Sequence, residues 1–448
     1  MGLCSELFYK KDSNETLCSR ITLTEGQVSD ARKKKDDLLA FIKTEISTAL
    51  NESVKHWLQG SYKNHTLIRP IAKDEEYDID VGLYVLCNAE EEGLSALDVK
   101  QLNRDALQWY SKNRDYAVLE DSKTSCERLR YPASFHIDIP IYYYDESSDV
   151  CRLATQNDDW VDSDPKALQD WFDNQVSALD DNSRAQLRRI IKYLKAWTAI
   201  NGGVTLPSIA ITVLVATYFV ESDHDDDSFI KTSLLVMDYV VNYDELPNPV
   251  QDGDLFGFSP AEYLEIQGKA NALIKLCEFV ENSGDSYSQY CLWSTVFEHM
   301  FPPFVWEALK SADNRNLPVT SLPAEIRVTH KDKNEVVIGA EVTNEITVCR
   351  DEHLCFSIEN KHDYDRQSKV HWIVRNRDSE ASRKNDMGHK KIISVDEECE
   401  EFCSYNGVHY MECFVFENNM VKGVGAVKVR IRGLPRPVRN PPRKRYPR

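Results

Sequence analysis

Apolar residues recur at helical and strand-like intervals in separate blocks of the chain. In residues 27–58, Ile42, Ile46, Leu50 and Val54 lie on one helical stripe in a background of Lys, Leu, Ala and Glu, which predicts one long helix. Two runs then alternate at strand period, 77–86 and 135–144. From Pro165 the pattern turns helical again, at 185–199, 208–220 and 260–282, with a Pro/Gly loop over 246–254. Residues 311–323 are polar, carry two prolines and predict a linker. Beyond them short strand patterns repeat at 325–330, 336–348, 370–376, 408–417 and 426–432, separated by polar turns, which predicts a small β-sandwich. No repeat of fixed period runs through the chain. The expected class is α+β: a core with a helical lobe over 1–310, a linker over 311–323, a β-sandwich over 324–432 and a tail over 433–448.

Composition narrows this picture. The 448 residues are enough for two or three domains, and 42% hydrophobic with 28% charged residues fits a globular chain with a real core. The net charge of −19 argues against broad nonspecific binding to nucleic acid, while leaving room for a local basic groove. Charge is also unevenly placed: residues 428–448 hold nine Lys/Arg and no acid, leaving −28 on the rest. The proline-rich end of that stretch has nothing to bury and is expected to be a disordered basic tail. The twelve cysteines are scattered; Cys399 and Cys403 are the closest pair, and no second pair or His follows at zinc-site spacing. Reduced thiols in a cytoplasm are the simplest expectation. No apolar stretch follows a basic start at the N-terminus, and the longest apolar run, 206–220, is interrupted by Ser208, Thr212 and Thr217, so neither a leader nor membrane insertion is expected.

Candidate chemistry lies in the first block. Gly60-Ser61 ends the helical block and opens a turn, with a closely approachable backbone and a hydroxyl that suit a phosphate. Asp78 and Asp80 are two apart in a strand pattern, so both carboxylates face the same way, and two such groups call for a hard cation such as Mg²⁺ between them. A two-metal phosphoryl-transfer site needs a third carboxylate, for which Asp138, flanked by Ile137 and Ile139, is the candidate if its strand lies beside the first. Taken alone, Asp78 and Asp80 also fit an acidic loop after Asp74, Glu75 and Glu76, and Ser61 also fits a turn or helix cap.

Together these motifs acquire a family likeness. Leu58-Gln-Gly-Ser-Tyr62, Thr66, Tyr77-Asp-Ile-Asp-Val-Gly82 and Phe135-His-Ile-Asp-Ile-Pro140 resemble the catalytic motifs of the DNA polymerase β-like nucleotidyltransferases. Within that superfamily they resemble the bacterial relatives of cyclic GMP-AMP synthases and oligoadenylate synthetases of antiphage defence. Trp160, Ser163-Asp-Pro-Lys166, Arg188–Trp197, Leu206-Pro-Ser208, Asn248-Pro-Val250 and the segment 252–255 extend the likeness over about residues 50 to 300. The resemblance implies a polymerase β-like core with Asp78, Asp80 and Asp138 as catalytic metal ligands for Mg²⁺ or Mn²⁺. It places donor phosphates on Gln59, Gly60, Ser61, Lys195 and Ser208, with Lys192 as the alternative lysine. Either lysine also fits a solvated helix face, and Ser208 also fits a helix N-cap. More weakly, His371–Asn376, Glu380-Ala381 and His409–Cys413 resemble a C-terminal sensor domain, in which His371, Arg375 and His409 would read a ligand or Trp372, Tyr410 and Cys413 would simply be core.

The implied activity is synthesis of an oligonucleotide second messenger, cyclic or linear, from nucleoside triphosphates. Its implied partners are a downstream effector protein that reads the product and a second copy of the chain in a homo-oligomer. The tail offers another acceptor: Tyr446, within Arg443-Lys-Arg-Tyr-Pro-Arg448, is a phenol that a protein-primed synthesis would start on. A non-catalytic nucleotide sensor and a transferase acting on protein or transfer RNA are the readings from other classes.

Overall fold

The computed structural model describes residues 4–303 and 322–433, apart from residues 115 and 419, with the side chain of residue 378 also left out. The chain divides into two compact units, Met1–Phe297 and Glu298–Arg448. Residues 311–321 of the expected linker and the tail from 434 onward, Tyr446 included, lie outside the described residues.

In the first unit, short helices α1 (Ser5–Phe8) and α2 (Leu17–Ile21) precede α3 (Glu25–Leu50). A Thr24–Gln27 capping box starts α3, and Asn51, in the left-handed region at φ 55°, stops it. The long helix expected over 27–58 therefore ends early, and Val54, though buried, belongs to strand β1 (Val54–Gln59). Gly60-Ser61 accordingly does not close a helix but opens the one-turn α4 (Gly60–Lys63). Next come β2 (Tyr77–Val85), α5 (Ala96–Lys112), β3 (Val118–Leu119), β4 (Glu127–Tyr131), β5 (Phe135–Ile139), β6 (Ile141–Asp145), β7 (Val150–Ala154) and β8 (Trp160–Asp162).

These strands form one sheet in the order β3-β4-β5-β2-β6-β7-β8, with β1 antiparallel to β2 on its other side. The expected strand 135–144 is split at Pro140, which has no N–H to give to a ladder. Its two halves keep a single parallel register along β2, pairing Tyr77 with Phe135, Asp80 with Asp138 and Leu83 with Ile141. At the break the outer neighbour changes from β4 to β7. One face of the sheet is apolar: Ile79, Val81, Leu83, Ile137 and Ile139 are fully buried and pack with Leu38 and Ile42 of α3 and Leu107 of α5. The opposite face is charged along the first half of β2 and aromatic along the second. There Tyr84 stacks on Tyr142 with centroids 4.8 Å apart, and Trp57 packs edge-on to Tyr84 at 4.2 Å.

A helical lobe follows, with α6 (Pro165–Ser177), α7 (Asp181–Ile200), α8 (Ser208–Tyr218), α9 (Asp225–Asn242), α10 (Pro260–Asn282) and α11 (Ser286–Phe297). Asp164, Asp180 and Ser259 accept from backbone N–H groups at the starts of α6, α7 and α10. Phe8, Tyr193, Phe229, Trp293 and Phe297 stack edgewise at the lobe's centre.

The second unit is a β-sandwich. One sheet runs β11 (Val337–Val342), β10 (Ile326–Lys331), β13 (His353–Ile358) and β16 (Cys399–Phe402). The other runs β12 (Glu345–Cys349), β18 (Met420–Arg432), β17 (Gly407–Glu417), β14 (Lys369–Arg375) and β15 (Gly388–Ser394), with β9 (Leu322–Pro323) on β18. Val328 and Phe356 from one sheet meet Trp372, Cys413 and Val427 from the other in a single core. Trp372 and Cys413 are thus core residues. Arg375 is buried against Glu412 at 2.8 Å, and His409 is buried with Nε2 2.9 Å from the Tyr405 carbonyl, so both bind the fold together. Cys399 and Cys403 are buried free thiols. Among the described residues no helix is long and apolar enough to cross a membrane.

Candidate active site

Strand register builds the site. Gln59, Asp80 and Asp138 are direct partners across β1, β2 and β5, and Arg128 of β4 stands opposite Asp138. One pleat away, Asp78, His136 and Arg130 form a parallel row. Partners across a ladder point to the same side, so all three aspartates share the charged face. The neighbours that compensate them are visible in the contacts. Arg128 forks onto Asp138, with Nε 2.6 Å from Oδ1 and Nη2 2.7 Å from Oδ2. His136 touches Asp78, and Glu76 takes Arg130 at 2.9 Å.

Electrostatics separate the aspartates. Burial, together with the charges of Asp78 and Asp138, pushes the Asp80 carboxyl up to about 7, against the opposing pull of Lys195 and Arg128. Burial acts in the same direction on Asp138, but the Arg128 fork, Lys123 and His136 outweigh it and hold Asp138 below the usual carboxylate range.

Gly60 brings α4 onto this face. Its φ of +61° is left-handed, and a Cβ there would sit 2.5 Å from Asp80 Oδ2, so only glycine fits both conformation and space. The one-turn helix then aims Ser61 across a gap toward the helical lobe. Lys195 Nζ donates to Ser61 Oγ at 2.7 Å and to Thr66 Oγ1 at 3.2 Å, and Ser61 Oγ lies 3.1 Å from Ser208 Oγ. Burial brings the Lys195 ammonium down to about 7, with Lys192 adding to the fall and Asp80 resisting it. Lys192 points elsewhere, its Nζ 3.5 Å from Thr22 Oγ1. Ser208 is the first residue of α8 and not its cap; Pro207 holds that position, which leaves the Ser208 hydroxyl to Ser61. Gln59 Nε2 donates to Tyr84 Oη at 2.7 Å, which fixes its amide beside Asp80.

Two cavities meet at Asp80. One of about 570 Å³ runs from Gly60 and Asp78 past Tyr77, Lys195 and Ser208. The other, about 180 Å³, lies between Gln59, Asp80, Trp171, Phe172 and Val213. Among the site-face residues that the motifs did not mark are Arg128, Arg130 and Tyr84. The only sequence signal for the two arginines is alternation around Leu129, which reads as a surface strand until its partner strand is known.

Comparison with known proteins agrees with this architecture. The family model described as the nucleotidyltransferase domain of DncV-like cyclic GMP-AMP synthases matches residues 54–142, and the adenylyl/guanylyl and SMODS C-terminal sensor domain matches 297–432. A cyclic GMP-AMP synthase of Escherichia albertii is 35% identical over 431 residues, covering 95% of this chain and 96% of its own. A cyclic GMP-AMP synthase of Vibrio cholerae serotype O1 is 24% identical over 208 residues, covering 36% of this chain and 46% of its own. The crystal structure of Vibrio cholerae DncV bound to 3′-deoxy GTP superposes with a TM-score of 0.56 at 18% identity, covering 67% of this chain and 96% of that one. The chain belongs to the DncV-like cyclic GMP-AMP synthase family and is a nucleotidyltransferase.

Proposed function

We propose that the chain joins two nucleoside triphosphates into a cyclic dinucleotide on the charged face of its first sheet. The observation that carries this reading is the row Gln59–Asp80–Asp138, with Asp78 beside it, and the Ser61–Lys195–Ser208 cluster, which lines one cavity together with Asp78 and Asp80. Phosphate-binding donors and carboxylates lining one opening are the two parts of a phosphoryl-transfer site.

The carboxylates fit Mg²⁺ or Mn²⁺: three oxygen donors share a face, and in the protein alone they draw in a guanidinium and an imidazole. A bound divalent ion would make the attacking hydroxyl more acidic and offset charge on the leaving pyrophosphate. The chain's own groups do the rest. Ser61, Ser208 and the backbone N–H groups at the start of α8 offer donors to phosphate oxygens. Lys195, already directed at Ser61, becomes fully charged when a triphosphate arrives beside it. The two cavities on either side of Asp80 give separate places to a donor and an acceptor nucleotide.

The names of the Escherichia albertii relative and of a c-di-GMP synthase of Roseivirga ehrenbergii, 29% identical over 119 residues, support a cyclic dinucleotide as product. By the motif resemblance we extend the proposal to a second messenger of antiphage defence that an effector protein reads. The test is incubation of the full chain with all ribo- and deoxyribonucleoside triphosphates and Mg²⁺ or Mn²⁺, followed by mass spectrometry of free and protein-bound fractions. The expected result is a free cyclic dinucleotide with pyrophosphate, absent in Asp80→Asn. Product attached to Tyr446, or none from any triphosphate, would overturn it.

A further inference from the structure

The charged row does not end on a carboxylate. Arg128, on the β4 strand beside β5, occupies both oxygens of Asp138 in a bidentate pair, at 2.6 and 2.7 Å. The same guanidinium reaches within 3.8 Å of Asp78 Oδ1. It is 22% exposed, held between the sheet and its carboxylates, whereas Lys123, 3.7 Å from Asp138 Oδ2, is 40% exposed.

We propose that Arg128 is an internal counter-cation that holds Asp138 in the metal-free chain and competes with the divalent ion for it. The inference rests on the reading of Asp78, Asp80 and Asp138 as metal ligands. Three carboxylates on one partly buried face repel each other, and their desolvation costs more the closer they stand. Arg128 relieves that at Asp138. A divalent ion at the same oxygens meets a fixed positive charge one bond length beyond them, so it binds only as the fork opens. Arg128 thereby keeps the free enzyme's metal affinity low. The triphosphate supplies the oxygens and negative charge that reverse the balance, so metal and substrate enter together. Arg130 makes a control: it carries the same charge one row away but pairs with Glu76 and not with a ligand aspartate.

The test measures Mn²⁺ binding without nucleotide, by electron paramagnetic resonance of the free ion, on the full chain. Arg128→Gln is expected to tighten Mn²⁺ binding about tenfold, and Arg130→Gln to change it less than about twofold. Arg128→Lys, which keeps the charge but loses the fork, should fall between the parent and Arg128→Gln, and it answers the question if the Gln variant does not fold. Metal-induced thermal stabilisation should grow in the same order. Unchanged or weaker binding in both Arg128 variants, with binding still lost in Asp80→Asn, overturns the counter-cation role and leaves the metal site standing. Mn²⁺ binding that ignores Asp80→Asn overturns both.

Discussion

Replacing Gly60 with alanine separates what the fold needs from what the chemistry needs. The backbone there is left-handed, φ +61°, which costs a Cβ-bearing residue about 1–2 kcal/mol. Part is recovered because alanine restricts the unfolded chain, by about 0.4–1 kcal/mol. The net loss of about 1 kcal/mol should lower the melting temperature by about 1–2 °C in a unit spanning Met1–Phe297. The effect on rate is larger. A Cβ would stand 2.5 Å from Asp80 Oδ2. Ordinary carbon contacts begin near 3.5 Å, so the carboxylate retreats by about 1 Å. A displacement of that size at a reacting centre costs about 10²-fold. Gly93→Ala is the matched control: φ is +69° and nothing lies within 4 Å of the new Cβ. It should lose similar stability and keep its rate. Pyrophosphate release gives kcat, and circular dichroism gives the melting point. A Gly60→Ala enzyme that melts early but turns over within about threefold of the parent would refute the reasoning, because Asp80 would then not need its place.

Three further outcomes follow from the same geometry. Asp80→Asn and Asp138→Asn should both lose at least about 10³-fold in activity, yet move stability in opposite directions at pH 8, read by urea denaturation without metal. Asp80→Asn removes a buried charge whose carboxyl is pushed up to about 7 and should gain about 2 kcal/mol after allowance for solvent screening, while Asp138→Asn strips Arg128 of its partner and should lose about 1–3 kcal/mol. Lys195→Met should raise the KM for triphosphate about tenfold or more, and Lys192→Met should leave it nearly unchanged, since only the first ammonium reaches Ser61. In the sandwich, burial and then Lys390 bring the His371 imidazole down to about 4 from 6.5, so the folded chain binds fewer protons than the unfolded one between those values. Stability should therefore fall as pH drops from 6.5 toward 4, by about 2 kcal/mol allowing for partial exposure, and His371→Phe, whose ring keeps the packing on Phe416, should flatten that slope in urea melts.

How much was legible before the structure differs from element to element, for physical reasons. Strand β2 was plain, because one face carries Ile79, Val81 and Leu83 into a core and the other carries Asp78 and Asp80. The boundary at Asn51 was not, since Val54 continues the four-residue spacing by coincidence and the change of period lies in a single left-handed residue. Strand β4 escaped because Glu-Arg-Leu-Arg-Tyr reads as surface. Its Glu127 is nevertheless fully buried, made tolerable chiefly by Lys100 at 2.7 Å and Arg104 at 2.6 Å from other parts of the chain, with the Ser122 hydroxyl also donating to it. Nothing local announces partners that lie over twenty residues away. Arg128 has a partner nearer in sequence, but its meaning too depends on Asp138 lying across a ladder. The short strands β13, β15 and β16 were missed because they rely on neighbours for their pattern. Ser208 illustrates a different limit: after Leu-Pro a serine fits a cap, and only the position of Pro207 shows that it is free for another role.

The handover at Pro140 has an electrical consequence. On one side of it the face shared by β2 and its neighbour is ionic, and on the other it is closed by Tyr84, Tyr142 and Trp57. Stacked rings polarise poorly, so the field of the aspartates is screened little on that side, while water beyond the open side screens it freely. Field lines from Asp78, Asp80 and Asp138 are therefore crowded toward the mouth of the cavity. A cation entering the cavity is drawn along one direction, and the aromatic half of the sheet, which touches the row through the Tyr84 hydroxyl on Gln59, serves as an insulating wall behind the carboxylates.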